Sequence, residues 1–310
     1  MKVKKLFKNF LIVSRANIQI ASLPTATLGV ALAAKNWADI FNMPVLLFII
    51  LFFIILTYSC NINCLNDLEV DEKHKNYLSK AVKSIGISKL KILVTMELIF
   101  AGIIIISLCI LKKEIIYILA FLGITCGYIY STPPLRVKKR GILSPLPVMF
   151  GLYFLPVIAG WFIVTNQISA FIILFGMGYA LIMQGITFIN TCEDYKEDMI
   201  SGIRTFAHVL GIRKILLLGS IFVLIGGFMD LVLILSLKIS PFKIKNILSI
   251  LALILIVFFL GSIINISKNL YFVGTSKDPF ALSKKEAAKM RIWFLITRYP
   301  ALLISLLLIS

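Results

Sequence analysis

Nine membrane-spanning helices packed around one central cavity are the fold that the sequence predicts, and three observations lead to it. The chain is 60% hydrophobic with a mean hydropathy of +0.99, far above a soluble globular protein. Apolar stretches recur along its whole length, each about 17–25 residues and so able to cross a hydrocarbon core of ~30 Å. Backbone groups in lipid must be satisfied within the segment, so these stretches are helices and the protein is an all-α integral membrane bundle. No hydrophilic stretch is long enough to form a separate soluble domain, and residues 1–310 read as one transmembrane domain.

The first span, 16–34, follows a basic run from Lys2 to Lys8. A cleavable leader would need an unbroken apolar core there, and Lys8 and Asn9 interrupt the run from Leu6 to Val13, so an uncleaved helix is expected. The second span, 44–66, runs into an acidic cluster. The third, 91–111, carries Glu97, and the fourth, 114–132, is stopped by Pro133 and Pro134, which also hold the next residues extended. The fifth is 144–165, and the sixth, 169–192, runs into a second acidic cluster. The seventh, 214–238, carries Asp230; the eighth is 246–267; the ninth, 291–309, carries Arg298. Acids deep in a span are costly and draw a functional suspicion, divided here between an acceptor site and a helix–helix hydrogen bond.

The 32 Lys+Arg outnumber the 14 Asp+Glu, for a net charge of +18. With the N-terminus placed in the cytoplasm, 25 of the 32 flank the cytoplasmic ends of the spans, six lie outside and Arg298 is within a span. That positive-inside bias accounts for most of the charge without nucleic acid, and predicts a cell-membrane protein with its acidic clusters facing the cytoplasm. The five cysteines (60, 64, 109, 126, 192) show no CxxC spacing and read as small packing residues rather than disulfides or zinc ligands.

Eight of the fourteen acidic residues fall in the two clusters, and both clusters fit N-x-x-x-D-x-x-x-D: Asn63, Asp67, Asp71 and Asn190, Asp194, Asp198. Positions i, i+4 and i+8 form a narrow stripe on a helix. Carboxylates one turn apart repel, and at a helix C-terminus they also oppose the dipole. A cation between them removes the repulsion. Oxygen ligands without His or Cys favour Mg²⁺ or Mn²⁺ over zinc, and Mg²⁺ held by a few carboxylates completes its shell with phosphate oxygens. Surface pairing to lysines would be worth only about 0–1 kcal/mol and does not require the same spacing twice. The motif recurs after 127 residues, four spans later, which suggests two related halves (16–132 and 144–267) plus the ninth helix, 291–309.

Arg136 and Lys138 alternate on the segment after Tyr130, and in an extended chain would share one face able to neutralise phosphate. Lys139 and Arg140 read as membrane anchors, and His74 and His208 as structural. Gly202 and Gly211 bracket a short segment carrying Arg204 and Thr205.

The order of these motifs resembles the UbiA superfamily of intramembrane prenyltransferases: N-x-x-x-D-x-x-x-D after the second span, Tyr130-Ser-Thr-Pro-Pro-Leu-Arg136-Val-Lys138 after the fourth, and Glu193-Asp-Tyr-Lys-Glu-Asp198 through Arg204-Thr205 after the sixth. The resemblance implies two Mg²⁺ ions bridging Asp67 and Asp71, and Asp194 and Asp198, to the diphosphate of an isoprenyl donor. It implies that Asn63 and Asn190 hold the diphosphate or its metals, and that Tyr130, Arg136, Lys138 and Arg204 lie against the diphosphate or the allylic carbon. Many members follow the first motif with an Arg-Pro pair; this chain has Glu72-Lys73-His74-Lys75 there, so Lys73 and Lys75 are the expected replacements. The implied reaction moves a polyprenyl group to a lipophilic acceptor, an aromatic ring or an alcohol, inside the bilayer. A cation-coupled transporter is the competing reading, since repeated halves and intramembrane acids suit it too.

Overall fold

The computed structural model describes residues 2–238, 247–307 and 309. Position 246 of the expected eighth span and position 308 of the ninth lie outside the described residues. Helices follow one another throughout: α1 (Lys2–Val13), α2 (Ala16–Ala33), α3 (Met43–Asn66), α4 (Leu68–His74), α5 (Asn76–Ile85), α6 (Ile87–Ile110), α7 (Ile115–Ser131), α8 (Leu146–Val148), α9 (Leu155–Thr165), α10 (Ala170–Glu193), α11 (Tyr195–Ile200), α12 (Phe206–Leu210), α13 (Ile212–Lys238), α14 (Ile247–Thr275), α15 (Pro279–Ala287) and α16 (Met290–Leu307). A π-helical turn over Met149–Phe154 joins α8 to α9. Among the described residues no strand forms.

Eight helical segments here are long and apolar enough to cross a membrane, and α7, with 17 residues, falls just short; together they are the nine expected spans. The eighth, α14, continues to Thr275, eight residues past its expected end, because Lys268 is the only charge before Lys277. The N-terminal basic run is itself helical as α1, an element that its broken hydrophobicity concealed. Its charges alternate with apolar residues at helical spacing, and Asn9 bonds Ser84 of α5 at 2.8 Å.

Two buried clusters organise the bundle. One joins α9, α10, α13, α14 and α16; the other joins α2, α3, α6, α7 and α9. A close seam lies between α10 and α13. A Cβ placed on Gly185 would stand 2.6 Å from the Gly219 carbonyl oxygen, and one on Gly219 would stand 2.8 Å from that of Gly185. Only glycine permits that approach, the small-residue packing expected where lipid supplies no hydrophobic drive.

The ring of helices closes where α16 meets α2. Arg298, buried on α16, donates from Nη1 to the Ala21 carbonyl at 2.7 Å, and its guanidinium lies 4.4 Å from the Phe294 ring centre. Among the described residues no carboxylate pairs with Arg298.

Candidate active site

The two acidic motifs fold alike. Each long helix ends just before the middle aspartate, which adopts a non-helical conformation: Asp67 at φ −104°, ψ 8° and Asp194 at φ −80°, ψ 0°. A short helix, α4 or α11, then carries the last aspartate onward. The i to i+4 bonds nevertheless survive the break: Asp67 N to Asn63 O is 3.0 Å, Asp71 N to Asp67 O is 2.8 Å, Asp194 N to Asn190 O is 3.1 Å and Asp198 N to Asp194 O is 2.8 Å. The expected stripe is therefore kept across a bend.

Both stripes face one cavity of about 380 Å³. Its polar end is lined by Asn63, Asp67, Asp71, Lys75, Tyr130, Lys138, Asn190, Asp194 and Asp198. Its other end is apolar, with Phe48, Leu51, Phe52 and Leu56 of α3, Ile116 and Leu119 of α7, and Leu155 of α9. One chamber thus joins a charged mouth to a greasy interior.

Cations divide the aspartates into two kinds. Asp67 is held by Arg136, whose Nη2 lies 2.7 Å from Oδ1, and by Lys138, whose Nζ donates to Oδ2. Asp194 receives Lys75 Nζ at 3.3 Å. Among the described residues the outer pair, Asp71 and Asp198, has no such partner. Burial, then the neighbouring Asp67, pushes the Asp71 carboxyl above the usual carboxylate range. Burial, then Asp194, pushes Asp198 up to about 7. Burial lowers Lys138 in spite of Asp67. For Lys75 burial pulls downward, but the attraction of Asp194 and its neighbours wins and the ammonium is held above its ordinary value.

Among the described residues no three His, Cys, Asp or Glu side chains stand together as a metal cage. The donor set instead suits Mg²⁺ bound by one or two carboxylates and completed by phosphate oxygens. Asp71, buried, and Asp198, half-buried, line the cavity without an ion pair among the described residues, and are the groups such a metal would satisfy.

The route to Arg136 and Lys138 differs from the expected extended segment. The Pro133–Pro134 bond is cis, Arg136 takes φ 37°, and Val137–Lys139 is a 3-10 turn. Arg136 N bonds Thr132 O at 2.9 Å and Lys139 N bonds Arg136 O at 2.9 Å, so the segment coils. Both cations still meet on Asp67 because they approach from a turn rather than from one face of a strand. Arg136 stands behind Asp67 and also donates to Asn66 O at 3.0 Å. Lys73 and Arg204 are exposed and do not line the cavity. The main chain of Arg204 accepts from Gly141 N at 2.7 Å, which ties the segment after α7 to the one before α12.

Other residues at the mouth escaped the sequence reading. Arg15, between α1 and α2 at φ 51°, lines the cavity and donates to Asn63 Oδ1 at 3.3 Å. Nothing in its neighbourhood marks it, because its partner is 48 residues away. His74 also lines the cavity and bonds Ser201 at 3.0 Å, a link between the two motif regions. His208 is structural, as expected: Nδ1 accepts from Thr205 N at 3.2 Å, and the ring stacks on Tyr195 at 4.2 Å. Of the two acids within spans, Glu97 accepts from Asn61 at 2.6 Å, a helix–helix hydrogen bond. Asp230 is 1% exposed against Gly178, with Oδ1 unpaired.

No curated protein sequence matches the chain. Among solved structures, a UbiA homologue from Archaeoglobus fulgidus bound to GPP and Mg²⁺ is similar with a TM-score of 0.64 at 15% identity, covering 95% of this chain and 99% of that one. The same homologue bound to DMAPP and Mg²⁺ gives 0.64 at 14%, covering 95% and 99%. A digeranylgeranylglyceryl phosphate synthase gives 0.66 at 16%, covering 97% and 99%. At these identities the likeness establishes the fold. The model of the UbiA prenyltransferase family matches residues 22–272, four-fifths of the sequence and both acidic motifs, and the chain is a member of that family.

Proposed function

We propose that this protein transfers a prenyl group from an isoprenyl diphosphate to a lipophilic acceptor, an aromatic ring or an alcohol, with Mg²⁺ holding the diphosphate. The observation that carries this reading is the pairing of two bent N-x-x-x-D-x-x-x-D stripes at one mouth, each ending in a carboxylate without a counter-ion, over an apolar chamber. The similar structures bound to GPP or DMAPP with Mg²⁺ support it. Asp67, Asp71, Asp194 and Asp198 would hold two Mg²⁺ ions, and Mn²⁺ suits the same oxygen donors. Metal held there would supply charge neutralisation of the leaving diphosphate, which favours C–O cleavage.

The protein's own residues do the rest. Lys75 and Lys138, paired here with Asp194 and Asp67, would offer their ammonium groups to phosphate oxygens when those carboxylates hold metal. Arg136 backs Asp67, and Asn63 and Asn190 offer amide donors at the rim. Tyr130, lining the cavity beside Lys138, places a ring face near the carbon that develops allylic cation character. Apolar walls keep water from that carbon. The matching bends at Asp67 and Asp194 favour two related halves within one domain, and the basic asymmetry favours a cytoplasmic mouth in a cell membrane. Placement of the acids at one end of the bundle, rather than at its midplane, weighs against the transporter reading.

Diphosphate release by the purified protein, given GPP and a membrane-lipid extract with and without Mg²⁺, tests the proposal. Release that requires Mg²⁺ and is lost in Asp67→Asn is the expected result. Folded protein that releases nothing and binds no isoprenyl diphosphate would overturn it.

A further inference from the structure

Gln184 lies on α10, six residues before Asn190 and ten before Asp194, hence about 9 Å and 15 Å deeper along the helix axis. It lines the cavity with Thr187, Phe188 and Thr191, the i+3, i+4 and i+7 neighbours on the same helical face. Gln184 is 2% exposed, and its amide oxygen has no hydrogen-bond partner.

The hydroxyls at this depth are already satisfied. Thr187 donates to Met183 O at 2.8 Å and bonds the Tyr153 hydroxyl at 2.9 Å; Ser59 donates to Ile55 O at 2.8 Å. A buried amide left unpaired is destabilising, so a partner from outside the protein is implied. The prenyl chain offers no hydrogen bond. The diphosphate belongs with the aspartates, a helical turn or more away. What remains is a polar group of the second substrate, lying beside the first carbons of the donor.

We propose that Gln184 is a specificity-determining residue for the acceptor, selecting one with a hydroxyl group at or next to its nucleophilic atom. The inference rests on the prenyl-transfer reading above. A carboxamide offers both an acceptor oxygen and an NH₂ donor, and a hydroxyl can answer either. In the transfer, the donor C1–O bond breaks and its electron pair leaves with the diphosphate. The hydroxyl oxygen, or the ring carbon beside it, supplies the pair that forms the new bond to C1. The proton displaced from the acceptor departs with the diphosphate. Gln184 orients the acceptor and neither gains nor loses a proton.

The test compares 1-naphthol with naphthalene as probes. The protein is loaded with Mg²⁺ and a non-hydrolysable geranyl thiolodiphosphate, and probe binding is followed by fluorescence. Beyond partitioning into detergent, wild type is expected to prefer the hydroxylated probe about tenfold, one good hydrogen bond, and Gln184→Leu to lose that preference while binding the thiolodiphosphate as before. Ligand-free Gln184→Leu should be at least as heat-stable as wild type. Equal binding of the two probes by wild type, or a preference retained in the variant, would overturn the inference. A lower thermal midpoint in the ligand-free variant would assign Gln184 a structural role and overturn it too. Failure of wild type to bind the thiolodiphosphate with Mg²⁺ would instead strike the prenyl-transfer reading itself, and this inference with it.

Discussion

Two aspartates that sit in equivalent motifs should respond to the same substitution with opposite changes in stability. Asp67→Asn removes the anion that holds Arg136 and the nearly buried Lys138. Breaking a buried pair by deleting one partner costs about 3 kcal/mol or more. Asp198→Asn does the reverse. The Asp198 carboxyl is raised from 3.8 to about 7, by burial and then by Asp194. Between those values the folded protein holds a proton that the unfolded chain has lost, so stability falls as pH rises through that window and the full penalty stands above it. At 1.36 kcal/mol per pH unit the ceiling is about 4 kcal/mol; the group is partly open to solvent, and screening reduces this to about 1–2 kcal/mol. The assay is thermal unfolding of detergent-purified protein in EDTA at about pH 8 and about pH 5. Asp67→Asn is expected to melt several degrees below wild type at both. Asp198→Asn should melt a few degrees above wild type at the higher pH, with the gain cut to about a third at the lower, which lies about 1.2 units into the window from 3.8 to about 7. Both should lose Mg²⁺-dependent turnover. An Asp198→Asn protein less stable than wild type at pH 8, or a gain that ignores pH, would refute the assignment of Asp198 as a carboxylate without a counter-ion.

Three further outcomes follow from the same geometry. On the proposed reading Mg²⁺ displaces the proton on Asp198, so its apparent affinity should weaken about tenfold between pH 8 and pH 6, as titration calorimetry with GPP present would measure. Lys75→Met, which strips Asp194 of its partner and the mouth of a cation, should weaken GPP binding about tenfold. Lys73→Met and Arg204→Met, at exposed positions, should change it by less than about threefold; the reverse order would show that the binding cations lie elsewhere. Gly185→Ala drives a methyl against the Gly219 carbonyl and should cost about 1–3 kcal/mol in thermal stability. Gly261→Ala, with open space around its Cβ, should be neutral or stabilising by up to about 1 kcal/mol.

The parts of this molecule that were legible in the sequence are those governed by local rules. Hydropathy over 20 residues places the spans, because lipid allows the backbone only one arrangement there. The spacing of Asn63, Asp67 and Asp71, repeated at Asn190, Asp194 and Asp198, shows the stripes because four residues is nearly one helical turn. The rest depends on where distant segments meet. Arg15 reaches Asn63 only because α1 turns into α2 through a left-handed residue, and no periodicity announces that. The coil after Pro134 was read as extended, since proline's preference for its predecessor says nothing of the turn that Arg136 makes two residues on. Gln184 looks like an ordinary polar residue in a span until the satisfied hydroxyls around it are known. Lys73 and Lys75 are alike in sequence, and only the fold separates the one facing Asp194 from the one facing solvent.

The Arg298 clasp also has a bearing on how the molecule is born. Ala21 and Arg298 are separated by 277 residues, so at about 5–20 residues per second the ribosome makes α2 tens of seconds before the helix that it grips. Through that interval the wall between α2 and α16 is open, and buried Ser22 lacks the guanidinium that later donates to it at 3.4 Å. A guanidinium entering the bilayer finds the Ala21 carbonyl and the Tyr153 ring already in place to receive it, so late insertion of α16 is favoured by the groove that the earlier helices leave. Assembly thus runs in one direction along the chain, and the wall at α2 closes only once α16 is in place.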